Sequence, residues 1–77
     1  MYSTKPLKLV KSCRRLAMEI KGKDRLSAEK HLVKYGASIP EAAEIVALNV
    51  GARSQKITSS IDTIEKDIDY ICFRQYR

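Results

Sequence analysis

Eight residues suited to contact with a polyanion fall between positions 49 and 59 of this chain. Arginine can bond bidentately to guanine and glutamine to adenine, so Arg53 and Gln55 are the candidate base-reading residues. Polar and basic side chains suit phosphate oxygens, and glycine lets a backbone approach closely. The candidate backbone contacts in this run are Asn49, Gly51, Ser54, Lys56, Thr58 and Ser59. A solvated polar face is the alternative interpretation of the same residues.

The first 23 residues carry the net positive charge of the chain. They hold seven Lys or Arg against one Glu, a net charge of +6, which equals the net charge of the whole 77-residue chain. A basic segment beside a neutral body is common in proteins that bind nucleic acid, so we expect double-stranded DNA as the partner. The alternative is a charged face that only keeps a small protein soluble. The candidate phosphate contacts in this segment are Lys8, Lys11, Arg14 and Arg15.

The composition argues against an enzyme, a bound metal and a cofactor. His31 is the only histidine, and no glycine-rich phosphate loop, HExxH or GxSxG motif can be written from the chain. Cys13 and Cys72 lie far apart, which fits a reducing compartment and gives no ligand cluster. No apolar run approaches the roughly 20 residues of a membrane span. We therefore expect a cytoplasmic, nucleoid-associated bacterial protein with no membrane partner and no small-molecule ligand.

The spacing of apolar residues predicts one all-α domain over residues 1–77 with about four helices. The expected helices span residues 7–21, 26–35, 39–47 and 50–70. The clearest start is at Ser38, where Ser38 and Glu41 form the pattern of a capping box and Pro40 suits the first turn. The end of the chain, residues 70–77, is also β-prone and could leave the last helix as a strand.

The third helix and the start of the fourth fit a helix-turn-helix. Ala43 would lie where the two helices cross closely, and residues 47–49 would form the turn. The recognition helix would begin at Val50, with Asn49 as its N-cap. Arg53 falls where an apolar residue normally enters the core. Either its side chain extends outward, or the helix rotates so that Ala52 enters instead.

Residues 38–61 resemble the helix-turn-helix of PapB-type fimbrial-operon regulators and of plasmid KorA (TrfB-type) repressors. The residues that carry the resemblance in gapless spacing are Ser38, Glu41, Leu48, Asn49, Gly51, Ser54 and Ile57. The matched stretch is about a third of the chain, and it departs from the pattern at Arg53. The resemblance implies a small, sequence-specific transcription regulator, and most simply a repressor, of a plasmid, phage or fimbrial operon. It also implies action as a dimer or higher oligomer.

Isoleucines recur at positions 57, 61, 64, 68 and 71, a heptad-like spacing of 4, 3, 4 and 3. Such a stripe can pack within its own domain or form a seam between two chains. The second interpretation predicts a homodimer or higher homo-oligomer. The candidate dimerisation residues are Ile64, Ile68 and Ile71.

Two other functions stay open at this point. Residues 57–65 are similar to the second helix of Alba-like nucleic-acid-binding proteins, whose mixed α and β fold would make residues 17–23 and 44–52 strands. A small basic adaptor that binds an acidic protein through its first helix is the other possibility.

Overall fold

The computed structural model describes residues 13–73, and these residues form four α-helices. Helix α1 spans Cys13–Ile20, α2 spans Arg25–Lys34, α3 spans Ile39–Asn49 and α4 spans Ile61–Cys72. Over residues 13–73 the β-type pairing consists of two isolated bridges, so the all-α prediction is confirmed. The Alba-like alternative is excluded, because residues 44–49, which it needs as a strand, belong to α3.

Three of the helices begin at side-chain caps that the local sequence supplies. At α3 the Ser38 hydroxyl accepts the Glu41 N–H at 3.3 Å, and Glu41 Oε1 accepts the Ser38 N–H at 2.9 Å, which confirms the capping box. Asp24 accepts the Ser27 N–H at 2.8 Å and caps α2, while the Ser60 hydroxyl caps α4. These bonds satisfy backbone donors that have no partner inside the helix.

The core lies between two helix pairs. Helix α1 packs against α4, and α2 packs against α3, with further contact between α3 and α4. Each helix contributes buried apolar side chains to this core. The largest fully buried apolar side chains are Leu16, Ile20, Leu32, Ile45, Val46, Ile57, Ile64, Ile68 and Cys72.

The isoleucine stripe of α4 packs inside one chain. Ile64 and Ile68 are completely buried and Ile71 is 2% exposed, all within the same core. A residue that its own chain already buries cannot line a seam between chains, so the prediction of a dimer seam at Ile64, Ile68 and Ile71 is wrong. The physical reason is that the apolar face of α1 needs a partner, and α4 supplies it.

The observed helix boundaries match the sequence prediction for α2 and depart from it at the fourth helix. Helix α4 begins at Ile61 rather than at residue 50, and it continues to Cys72. The predicted third helix, 39–47, extends two residues further, to Asn49. For the predicted first helix, residues 7–12, including Lys8 and Lys11, lie outside the described residues, as do residues 74–77.

Replacing Ser38 with alanine should lower the free energy of unfolding by about 1 kcal/mol, because α3 loses the acceptor at its first turn. Urea unfolding followed by circular dichroism measures this change. Ser59→Ala is the control, since the Ser59 hydroxyl makes no hydrogen bond within the described residues. An equal loss in both variants would contradict the role of the cap.

Candidate nucleic-acid interface

Residues 51–60, here called the 51–60 loop, reverse the chain between α3 and α4. Val50 and Ile57 form an antiparallel bridge. The Gly51 N–H donates to the Lys56 carbonyl at 2.8 Å, and the Thr58 N–H donates to the Asn49 carbonyl at 3.0 Å. The predicted recognition helix starting at Val50 is therefore wrong.

Two features of the loop conformation are incompatible with a continued helix. Gln55 has a φ of 58°, a left-handed conformation that interrupts a right-handed helix. Ser54 turns its hydroxyl to its own backbone and accepts the Lys56 N–H at 3.2 Å. Short hydroxyl side chains offer the backbone such alternatives to helical hydrogen bonds.

The same loop pairs with the connection between α1 and α2. The Ile57 N–H donates to the Lys23 carbonyl and the Gly22 N–H donates to the Ile57 carbonyl, both at 2.9 Å. The Arg25 N–H donates to the Gln55 carbonyl at 3.1 Å. Residues 55–57 thus lie between residues 22–25 and residues 49–51. Sequence reasoning missed this pairing, although a single buried isoleucine inside a polar run was a signal for it.

This pairing concentrates cations from two distant parts of the sequence. The group, here called the basic cluster, consists of Lys21, Lys23, Arg25, Arg53 and Lys56. Lys23 is half-buried and the other four are exposed. The single carboxylate among them is Asp24, so the local net charge is +4. The hydrogen bonds from Ser27 hold the pKa of Asp24 below its usual range, and nearby Lys56 and Lys23 lower it further.

Lys21 also secures the end of the loop. Its ammonium group donates to the Ser59 carbonyl at 2.7 Å and lies 3.4 Å from the Thr58 carbonyl. The connection from α1 and the last residues of the loop are thereby joined through a side chain as well as through backbone pairs.

Most of the candidate residues of the 49–59 run lie on the surface of the loop. Arg53, Ser54, Gln55, Lys56 and Thr58 are exposed, and Ser59 is half-buried. These side chains project from a loop instead of from one face of a helix, so any contact with a DNA groove would be made by the loop.

Asn49 is the clear exception among these candidates. Its side chain is 1% exposed, and its amide donates to the Ile45 carbonyl at 2.8 Å and to Asp67 Oδ2 at 2.9 Å. Asn49 is the last residue of α3, so the predictions that it caps a new helix and contacts DNA are wrong. Its role is to join the end of α3 to α4.

Gly51 serves packing within the loop. A Cβ at this position would lie 2.9 Å from Ser54 Oγ and 3.1 Å from the Thr58 side chain. The close approach that glycine permits is therefore to Ser54 and Thr58 of its own chain, and no approach to DNA is needed to explain it.

Arg14 and Arg15, two candidate phosphate contacts of the basic first segment, lie in ion pairs. Arg14 Nη1 donates to Asp62 Oδ1 at 3.0 Å and to Glu65 Oε1 at 3.1 Å, and these bonds raise the pKa of Arg14. Arg15 Nε lies 3.9 Å from Glu19 Oε2. Arg14 was predicted to contact phosphate, but carboxylates of α4 partly neutralise its charge.

The remaining groups that could do chemistry are held in structural contacts. His31 Nε2 lies 2.6 Å from Glu19 Oε1, and its ring is 4.9 Å from the Tyr35 ring. Burial raises the pKa of the Cys13 thiol to about 11, with Asp69 and Glu65 acting in the same direction. Over residues 13–73 no group of three His, Cys, Asp or Glu side chains is placed to hold a metal ion.

No protein-family model, curated protein or solved structure matches this chain. Among the four helices described, none has the length and apolarity needed to cross a membrane.

Gly51→Ala should destabilise the protein by about 1–3 kcal/mol, because the added methyl group overpacks the loop. Gly51 is not one of the residues with a positive φ, so an uncrowded alanine would instead stabilise by about 0.4–1 kcal/mol. Thermal or urea unfolding gives the sign. In a double-mutant cycle, Ser54→Ala should cost less in the Gly51→Ala background than in the wild type. Additive effects would show that the two side chains do not collide.

Proposed function

We propose that the protein binds double-stranded DNA through the basic cluster, with the 51–60 loop entering a groove. The observation that carries this proposal is the uneven distribution of charge. Residues 13–73 hold ten Lys or Arg and nine Asp or Glu. Five of the cations and one of the carboxylates belong to the basic cluster and its surroundings, which leaves five cations against eight carboxylates elsewhere. A local excess of this size attracts a phosphate backbone.

The side chains of the loop suit two kinds of contact. Lys23 and Lys56, with the hydroxyl groups of Ser54 and Thr58, match phosphate oxygens. Arg53 and Gln55 are exposed and carry the planar groups that can bond to base edges. Phosphate contacts would supply the affinity, and Arg53 and Gln55 would supply any discrimination between sequences.

Helix α3, which would be the recognition helix of a helix-turn-helix, is poorly suited to contact with DNA. Helix α2, the four-residue turn 35–38 and α3 have the order of a helix-turn-helix. However, the exposed residues of α3 carry no cation and one carboxylate. They are Ile39, Pro40, Glu44, Ala47 and Leu48. DNA binding by the loop is therefore favoured over binding by α3.

Regulation of transcription is the cellular role that fits this proposal. A repressor of a plasmid, phage or fimbrial operon, as the resemblance to PapB-type and KorA proteins implies, must distinguish its operator from other DNA. Loop binding does not depend on that resemblance, because residues 50–59 are not the recognition helix that the resemblance implies. An acidic protein partner would also be attracted by the basic cluster, but it would not show the counterion release of a duplex.

Removing single lysines of the basic cluster that contact phosphates should weaken binding to every duplex alike. For Lys23→Ala and Lys56→Ala, the slope of log affinity against log salt should become shallower by about 0.9 per lost phosphate contact. Fluorescence anisotropy with a random duplex between about 50 and 200 mM salt measures both quantities.

The matched control for these variants is Lys66→Ala, which removes an exposed lysine of α4 outside the basic cluster. Its affinity and salt slope should equal those of the wild type. If Lys66→Ala weakens binding as much as Lys56→Ala, the interaction is a general charge effect and the proposed interface is incorrect.

Gln55→Gly tests base reading with the backbone conformation retained, because glycine accepts the positive φ at this position whereas alanine is strained there; the variant also removes a long 3.5 Å hydrogen bond from the Gln55 amide to the Ala52 carbonyl. On a duplex obtained by binding-site selection, the variant should lose about 1–3 kcal/mol of discrimination against a substituted A·T pair. Its affinity for random duplex should stay at the wild-type value. Unchanged discrimination would remove Gln55 as a base reader while leaving the phosphate contacts in place.

A further inference from the structure

An exposed apolar groove runs between α2 and α3, separate from the basic cluster. It has a volume of about 400 Å³. Leu26 is 61% exposed and Ile39 is 75% exposed, and both line it together with the partly exposed Val33 and the buried Ala42. These three exposed side chains are half of the six large apolar side chains that the described residues leave in water. Such concentration of apolar surface in one place indicates an interaction site.

The charged residues of the groove follow a regular pattern along α2. Leu26, Lys30 and Val33 are spaced by four and three residues, which places them on one stripe of the helix. Glu29 lies on one flank of the stripe and Lys34 on the other, and both line the groove. Written as a heptad, Leu26 and Val33 are d positions, Lys30 is an a position, Glu29 is a g position and Lys34 is the following e position.

This pattern is self-complementary in a parallel pair of helices. In such a pair, the g residue of one helix faces the e residue five positions later in the other helix. Glu29 of each copy would therefore face Lys34 of the other copy, and these carry opposite charges. Lysine at a single a position is one of the polar residues that set register at some cost in stability.

We propose that the groove binds a second copy of this chain, with the two α2 helices parallel about a two-fold axis. Each α2 then lies in the groove of the other copy, and Leu26, Val33 and Ile39 become buried. Glu29 and Lys34 form two equivalent ion pairs that fix the register. The contact extends over the ten residues of α2, about 15 Å, so the dimer is weak.

The charge pattern also argues against other occupants. A small-molecule pocket normally has a few convergent polar groups that orient its ligand, whereas the polar groups of this groove are three charged side chains along one helix. The two lysines and one carboxylate of the groove give a net charge of +1, so it suits a phosphate backbone less well than the basic cluster does. A second copy covers the apolar surface and pairs Glu29 with Lys34, while Lys30 at the a position sets the register at some cost in stability.

Charge reversal provides the experiment, with sedimentation equilibrium as the measurement. Glu29→Lys and Lys34→Glu should each weaken dimerisation about tenfold or more, because each places like charges across the contact. An equimolar mixture of the two single variants should form a heterodimer with an affinity close to that of the wild-type dimer. The double variant with both reversals should form a homodimer with a similar affinity.

Two further variants keep this test decisive. Leu26→Gln, at an exposed position that leaves the core intact, should dissociate the dimer without changing the circular dichroism spectrum. Glu44→Lys, an exposed reversal on α3 that lies outside the groove, should not change dimerisation. The proposal is overturned if the wild type is a monomer at about 100 μM, or if the mixture of single variants dimerises no better than each variant alone.

Discussion

The backbone of residues 55–57 is hydrogen-bonded along both of its edges, and the candidate interface depends on this constraint. On one edge Ile57 exchanges two hydrogen bonds with residues 22 and 23, and on the other edge Lys56 accepts the Gly51 N–H. The Ile57 side chain between these edges enters the core, with 1% of its surface exposed. A polar loop thereby gains an apolar anchor, and two basic segments far apart in sequence become neighbours.

Both ends of the loop are fixed by groups that also hold the helices. At its start, buried Asn49 ends α3 and donates a hydrogen bond to Asp67 of α4. At its end, the Ser60 hydroxyl caps α4, and Lys21 donates to the Ser59 carbonyl. Since buried polar groups need hydrogen-bond partners, these contacts favour one arrangement of α3, the loop and α4 over others.

The two proposed surfaces use different physical chemistry on one small domain. The basic cluster gathers like charges, which repel one another unless a polyanion or solvent ions compensate them. The groove between α2 and α3 exposes apolar side chains beside charges of both signs, a combination that suits a protein partner. A protein that binds DNA as a weak dimer would double its phosphate contacts without requiring a larger core in each chain.

The amino-acid sequence by itself determined the parts of the fold that depend on neighbours within a few residues. The cap at Ser38 and the spacing of apolar residues predicted α2 and α3 to within one or two residues at each end, because capping and helical periodicity are local. The exposed position of Arg53, Gln55 and Lys56 also followed from their polarity. The backbone conformation of the loop could not be predicted in the same way, since its hydroxyl and amide side chains are compatible with either a helix or a turn.

Only the tertiary structure decided between the alternatives that share one local pattern. The isoleucine stripe of α4 has the same spacing whether its partner is α1 of the same chain or a second chain, and only the three-dimensional packing shows that it is α1. Likewise, residues 51–60 form a loop because residues 22–25 offer hydrogen-bond partners about 30 positions away, which no local rule can detect. The grouping of Lys21, Lys23 and Arg25 with Arg53 and Lys56 follows from that long-range pairing, so the candidate site belongs to the fold rather than to any single segment.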